Sequence, residues 1–253
     1  LAPLAHRALR GTPAGDALEP YARTAAARKL ALVGALPELA GALPPFVVLK
    51  GPAVAAGVHG DLSVRPFADL DLLVRRRDVP RAWAALLQIG YRPRELLGAL
   101  PPQRLLSCHH EIAFRRGDAV VEMHWRLWPR DRGRCPEAAT ASFQLGARRF
   151  ACLDDATLLC HLAVHGAQHG WLRLGWLHDV AVLLARRPGV VLPALRVARP
   201  CGKAGAVRLA VALAVDLLGA PAPRPRVPAG LLDAAKRALL QDRATGLAFH
   251  MRL

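Results

Sequence analysis

Strand-forming and helix-forming stretches are segregated along this chain, and that segregation limits the fold more than any other feature. Phe46-Val47-Val48-Leu49 and Leu70 to Val74 are short, apolar and β-prone, and His110 to Phe114 and Ala119 to Trp125 read as two further strands. Beyond about residue 150 the apolar spacing turns helical: Leu153 to Leu184 reads as two helices meeting near Gly170, followed by Leu192 to Leu218 and Leu231 to Leu240. The fold class expected is α+β, a small mixed sheet flanked by helices over residues 21–150, then an all-helical domain over 151–253. Residues 1–20, rich in Pro, Gly and Ala, are expected to form a loose arm.

Finer signals fill in this outline. Tyr21 to Leu43 has helical spacing with Pro37 as an expected break. Asp78 is placed to cap a helix over Val79 to Ile89, and Arg115-Arg116-Gly117-Asp118 suits a hairpin link. The proline-rich run Pro221 to Pro228 separates the last two helical stretches.

Composition excludes several classes. An apolar fraction of 53 % across 253 residues supports a sizeable core and rules out wholesale disorder. The five cysteines (Cys108, Cys135, Cys152, Cys160, Cys201) form no CxxC pair, which argues against a zinc ribbon or disulfide scaffold and fits a reducing cytoplasm. The longest run without a formal charge, Ala156 to Leu172, carries three histidines and falls short of a membrane span, so no membrane partner is expected. The net charge of +16 favours anionic ligands such as nucleotides or nucleic acid. Only four of the 35 cations are lysine, and that arginine skew reads as codon usage more than as a designed basic patch. Nucleic acid is therefore a possible partner but not the favoured one.

Three segments carry chemistry. Asp69-Leu70-Asp71 opens a strand, and alternation puts the two carboxylates on one face, where repulsion makes a hard divalent cation their natural partner. An exposed turn with two solvated aspartates is the plainer alternative. Lys50-Gly51 lies at a strand-to-helix turn, where glycine permits close approach of a phosphate and Lys50 adds a point charge; an ordinary tight turn explains it equally. In Val120-Val121-Glu122-Met123-His124-Trp125, Glu122 and His124 share a face opposite Val121, Met123 and Trp125. A carboxylate in such a strand needs a partner if buried, or else the strand lies at an edge and meets water.

Taken in order, Leu49-Lys50-Gly51, Gly60-Asp61, Arg65-Pro66, Asp69-Leu70-Asp71-Leu72-Leu73-Val74, Gly90-Tyr91 and Val121-Glu122-Met123-His124-Trp125 resemble the motifs of a bacterial nucleotidyltransferase-like family. That family belongs to the superfamily that includes DNA polymerase β. His165, His169, Trp171, Trp176 and Asp179 extend the resemblance into the helical half, so that it covers about residues 30 to 220. One departure stands out: the superfamily's Gly-Ser turn is Gly51-Pro52 here, with no hydroxyl for a phosphate.

The resemblance implies Mg²⁺-dependent transfer of a nucleoside monophosphate, AMP from ATP by first expectation, onto a hydroxyl of a small-molecule or peptide acceptor. Asp69, Asp71 and Glu122 would be the catalytic carboxylates holding two Mg²⁺ ions, with Glu122 also taking the hydroxyl proton. Lys50, Gly51, Ser63 and Arg65 would bind the phosphates, and His124, His165 and His169 would lie on the acceptor side. Two other readings stay open. One is a catalytically silent nucleotide- or RNA-binding regulator of the same fold. The other is a metal hydrolase using His161, His165 and His169, which recur every four residues.

Overall fold

The computed structural model describes residues 2–94, 102–128 and 138–241. Cys135 and the last twelve residues of the helical half lie outside them. The chain divides into two compact units, Leu1–Asp131 with Ala139–Leu153, and Arg132–Ala138 with Asp154–Leu253. The first is a mixed α+β core and the second is helical throughout its described residues.

The first unit is built on a seven-stranded sheet of β1 (Phe46–Val48), β2 (Leu70–Val74), β3 (Arg92–Pro93), β4 (Glu111–Arg116), β5 (Ala119–His124), β6 (Thr140–Leu145) and β7 (Arg148–Leu153), in the order β3-β4-β5-β2-β1-β7-β6. The β1/β2 and β4/β5 pairs are antiparallel, and β2 runs parallel to β5. Alternation divides the central strands. Leu70, Leu72 and Val74 of β2 and Val121 and Met123 of β5 are buried in one apolar cluster with Leu32, Leu36 and Leu39. Asp71, Glu122 and His124 point to the other face.

Residues 2–20 do not form a loose arm. They contain α1 (Ala2–Ala8) and the start of α2 (Pro13–Ala42), whose N-cap Thr12 accepts a hydrogen bond from the Gly15 N–H and whose first position is a proline. Nor does Pro37 break that helix, which continues through both Pro20 and Pro37. An interior proline costs about 3 kcal/mol. Complete burial of Leu32, Leu36 and Leu39 stabilises the segment by about 1.5–3 kcal/mol each, so packing outweighs the break.

A short α3 (Pro52–Val54) follows β1 and continues as a π-helical turn over Ala55–His59. Asp78 precedes α4 (Val79–Gln88) but makes no side-chain cap bond, because the chain enters through a 3₁₀ turn over Arg76–Asp78. The β4–β5 link is two residues, Gly117-Asp118, shorter than the four expected. Between β3 and β4 lies α5 (Pro102–Cys108). The β6–β7 hairpin has no counterpart in the sequence reading. β6 exposes most of its side chains and β7 opens on two exposed arginines, and the buried residues are the stacked Phe143 and Phe150 (centroids 5.9 Å apart) with Leu153.

The second unit comprises α6 (Asp155–Gln168), α7 (Leu174–Arg186), α8 (Val191–Ala198), α9 (Ala204–Leu218) and α10 (Ala229–Gln241). The stretch expected as Leu192 to Leu218 is thus two helices, separated at Gly202 with φ +67°. Among the described residues no helix is long and apolar enough to cross a membrane.

The C-terminus of α6 turns sharply. Gly170, at φ +58°, donates to the Ala167 carbonyl, and Trp171 donates to the Gly166 carbonyl at 2.8 Å, a Schellman closure. Trp171 is buried with its ring over Gly166, where a Cβ would lie 2.3 Å from a ring carbon. Gly166→Ala is therefore expected to lower stability by about 1–3 kcal/mol through overpacking, read as a reduced urea midpoint with unchanged m-value. An unchanged midpoint would show that the Trp171 ring shifts freely.

Candidate active site

The β1–β2 pairing places the turn after β1 beside the start of β2. Val48 pairs with Leu72, the Leu49 N–H donates to the Asp71 carbonyl at 2.9 Å, and Lys50 arrives alongside Asp71. Gly51 sits at φ +56°, and a Cβ there would come within 3.3 Å of the Asp69 carbonyl oxygen and 3.5 Å of the Phe67 ring. A side chain would wedge the turn from the strand, so glycine serves the close approach as well as the backbone angle.

Asp71 is fully buried, and its Oδ1 forms an ion pair with Lys50 Nζ at 2.8 Å. The parallel register of β2 and β5 sets Glu122 directly beside Asp71 and His124 beside Leu73. His124 Nε2 lies 3.4 Å from Asp71 Oδ1 and 3.9 Å from Glu122 Oε2. Its Nδ1 lies 3.0 Å from Oε2 of Glu111, which the β4–β5 ladder pairs with His124. His110 Nε2 approaches the same Glu111 oxygen at 3.3 Å.

The electrostatics follow from burial and neighbours. Burial alone would lift the Asp71 carboxyl, but the Lys50 charge first, and then the His124 ring beside it, hold it well below the usual carboxylate range. Burial would lower the Lys50 ammonium, yet Asp71, Asp69 and Glu122 keep it above its ordinary value. Glu122 goes the other way. Burial first, and then the Asp71 and Asp69 charges, push it up to about 9, with Lys50 only partly offsetting them. Asp71 takes the available positive charge, and Glu122 keeps its proton.

These residues fit a divalent cation. Asp71, Glu122 and His124 each offer a ligand atom, all within 4.8 Å of one another. Asp71 Oδ2 is buried with no hydrogen-bond partner among the described residues. A carboxylate oxygen left in that state is costly, and a hard cation satisfies it directly.

Of the remaining residues singled out in the sequence, Asp69 adjoins this group and the others fall into other neighbourhoods. Asp69 is half-buried at the start of β2, its charge acting on both Lys50 and Glu122. Ser63 and Arg65 belong to a segment anchored on α2, where Lys29 Nζ donates to the Leu62 and Ser63 carbonyls at 2.6 and 2.9 Å. Arg65 is buried there, and its charge depresses the Lys29 ammonium after burial has done so. His165 and His169 lie in the second unit. Their rings are 4.7 Å apart and pack on Trp176 at 4.8 and 5.3 Å, with His161 stacked on His165 at 6.4 Å.

Residues 1–219 match the family described as "Uncharacterised nucleotidyltransferase". The chain belongs to that family. No curated protein matches it in sequence. Among solved structures, a crystal structure of ANT(2")-Ia in complex with adenylyl-2"-tobramycin is 16 % identical, covering 63 % of this chain and 88 % of that one at a TM-score of 0.44. A solution structure of the same antibiotic-resistance factor is 14 % identical over 71 % and 92 % of the two chains, TM-score 0.45. An antigenic nucleotidyltransferase-like protein from Paracoccidioides brasiliensis is 14 % identical over 72 % and 92 %, TM-score 0.40.

Two substitutions test the family member's buried charges in opposite directions. Asp71→Asn strands Lys50 without its counter-charge, so it is expected to cost about 3–5 kcal/mol despite being nearly isosteric. Glu122→Gln is expected to stabilise the metal-free protein. A carboxyl raised from 4.5 to about 9 contributes stability that is complete below its unfolded value and lost as pH rises through about 9. Parent and Glu122→Gln melting curves in EDTA should coincide near pH 4.5 and separate steadily towards pH 9, the variant higher. Equal melting temperatures across that range would place Glu122 in solvent.

Proposed function

We propose that this protein catalyses divalent-cation-dependent transfer of a nucleoside monophosphate, AMP from ATP in the simplest case, to a hydroxyl of a small-molecule or peptide acceptor, releasing pyrophosphate. The observation that carries the reading is the convergence of fully buried Asp71 with partly buried Glu122 and Lys50 from three adjacent strands and turns, in a chain of a nucleotidyltransferase family. Asp69, Asp71 and Glu122 would hold Mg²⁺. That cation would supply charge neutralisation on the triphosphate and acidify the acceptor hydroxyl.

The protein's own groups do the rest. Lys50 leaves Asp71 for the phosphate oxygens once another cation satisfies the carboxylate, and there it stabilises the charge that builds on them. Glu122, deprotonated when it gains a cationic neighbour, accepts the hydroxyl proton. The Gly51 turn lets a phosphate approach the backbone. Within the second unit, the rings of His165 and His169 with Trp176 form an aromatic surface of the kind an acceptor would stack on. Stacking of this kind also favours packing over zinc ligation for the histidine stripe.

Incubation with α-labelled ATP, Mg²⁺ and a cell extract, followed by mass identification of labelled species and assay of pyrophosphate, tests the reaction. Glu122→Gln is the informative control, since the fold is expected to survive it. Transfer should fall at least about a hundredfold. ATP with Mg²⁺ should raise the parent's melting temperature well above ATP with EDTA. Metal-dependent ATP binding without pyrophosphate release would leave the silent regulatory reading in its place.

A further inference from the structure

We propose that His124 is a protein ligand of the site's divalent cation, held in its ligating tautomer by Glu111, and that the site therefore prefers a cation that accepts imidazole, such as Mn²⁺, over Mg²⁺. This deepens the reading above and rests on it. The argument begins with the two ring nitrogens. Neither ring nitrogen of His124 has a hydrogen-bond partner among the described residues, and Nδ1 lies 3.0 Å from a Glu111 carboxylate oxygen, a contact that favours the hydrogen on Nδ1 once Nε2 takes a cation. In a neutral ring Nε2 then presents a lone pair.

That lone pair faces Asp71 Oδ1 at 3.4 Å and Glu122 Oε2 at 3.9 Å in a setting where His124 is 5 % exposed. Three electron-rich atoms converge with little water to separate them. A cation among them turns mutual repulsion into coordination. The arrangement outside the ring matches what metal-bound histidines need: a carboxylate on the far nitrogen that fixes the tautomer and strengthens the donor. Register secures it: the β4–β5 ladder pairs Glu111 with His124. Mg²⁺ favours oxygen ligands, whereas later divalent metals accept imidazole readily, so one nitrogen among carboxylates shifts selectivity away from Mg²⁺.

Glu111 is accordingly a positioning residue, and its side chain is 37 % exposed, well placed at the outer end of the chain Glu111–His124–cation. Glu111→Ala should weaken Mn²⁺ binding about 10–100-fold, and Glu111→Gln, whose amide oxygen still accepts from Nδ1, should restore most of it.

The test uses the full-length protein and Mn²⁺ alone, followed by electron paramagnetic resonance. The expected result is one Mn²⁺ whose pulsed spectrum shows coupling to a directly bound histidine nitrogen, shifting when the histidines are ¹⁵N-labelled. Glu122→Gln should displace or weaken that ion. His124→Gln should remove the coupling and reduce the Mn²⁺-over-Mg²⁺ affinity ratio at least about tenfold, while His110→Gln keeps both. If His124→Gln does not fold, the labelled parent with Glu122→Gln as the site control decides the question. Mn²⁺ that binds, depends on Glu122 and shows no histidine nitrogen would overturn the inference and leave the transferase reading standing, with His124 a protonated neighbour of Asp71. No binding of either Mn²⁺ or Mg²⁺, with or without ATP, would overturn both.

Discussion

The Lys50–Asp71 ion pair is the interaction on which the rest of the site depends. Both groups are almost entirely removed from water, and a 2.8 Å contact between them is what makes that burial tolerable. Such pairs seldom stabilise a fold more than well-packed hydrophobic residues would, because desolvation cancels most of the attraction. Placing this one inside the sheet has a consequence beyond stability. Asp71 stays ionised and absorbs the positive charge, so Glu122, its neighbour across the β2–β5 ladder, has no counter-charge left and holds its proton up to about 9. The site rests one cation short of balance.

The sheet makes that imbalance possible. On one side of β2 and β5, Leu70, Leu72, Val121 and Met123 lock the strands against α2, and nothing on that side is polar enough to shift register. A slip of one residue would bury Asp71 in the leucine cluster and expose its apolar neighbours. The apolar face therefore enforces the position of the polar one. Ligand atoms mounted on paired strands are held more precisely than the same atoms on loops.

Much of this was legible in the sequence, and the parts that were not share a cause. Alternation in Asp69-Leu70-Asp71 and in Glu122-Met123-His124 fixes which side chains share a face, because a strand's period is local. That Asp71 meets Glu122 is not local. It needs a parallel pairing of strands some fifty residues apart, and no turn between them dictates it. The Glu111–His124 partnership lay closer to the surface of the sequence. A two-residue Gly117-Asp118 turn, with Gly117 at φ +57°, sets Arg116 opposite Ala119, and counting back along the strands then gives Glu111 opposite His124. A four-residue link places Glu111 opposite Glu122 instead, which hides the histidine's partner. Pro37 and the β6–β7 hairpin show the converse effect. In α2 three buried leucines override a strong local breaker, and in the hairpin the pairing of β7 with β1 secures two strands whose own alternation is weak.

Charge distribution connects the site to the rest of the molecule. The chain carries 35 cationic side chains against 19 acidic ones, yet Asp69, Asp71, Glu111 and Glu122 gather on three neighbouring strands, β2, β5 and β4, and the residue leading into β2. A broadly positive protein raises the local concentration of a nucleoside triphosphate, since its field extends about a Debye length into solvent. The acidic cluster acts only at contact range, where its donor atoms suit a divalent cation. Neither field alone suffices for the proposed reaction: a wholly basic site would bind triphosphate with no metal to activate it, and a wholly acidic one would repel it. The local rules of strand composition are broken at Asp71, Glu122 and His124 because there the two fields must meet, and the fold offsets those violations with the leucine layer on the opposite face.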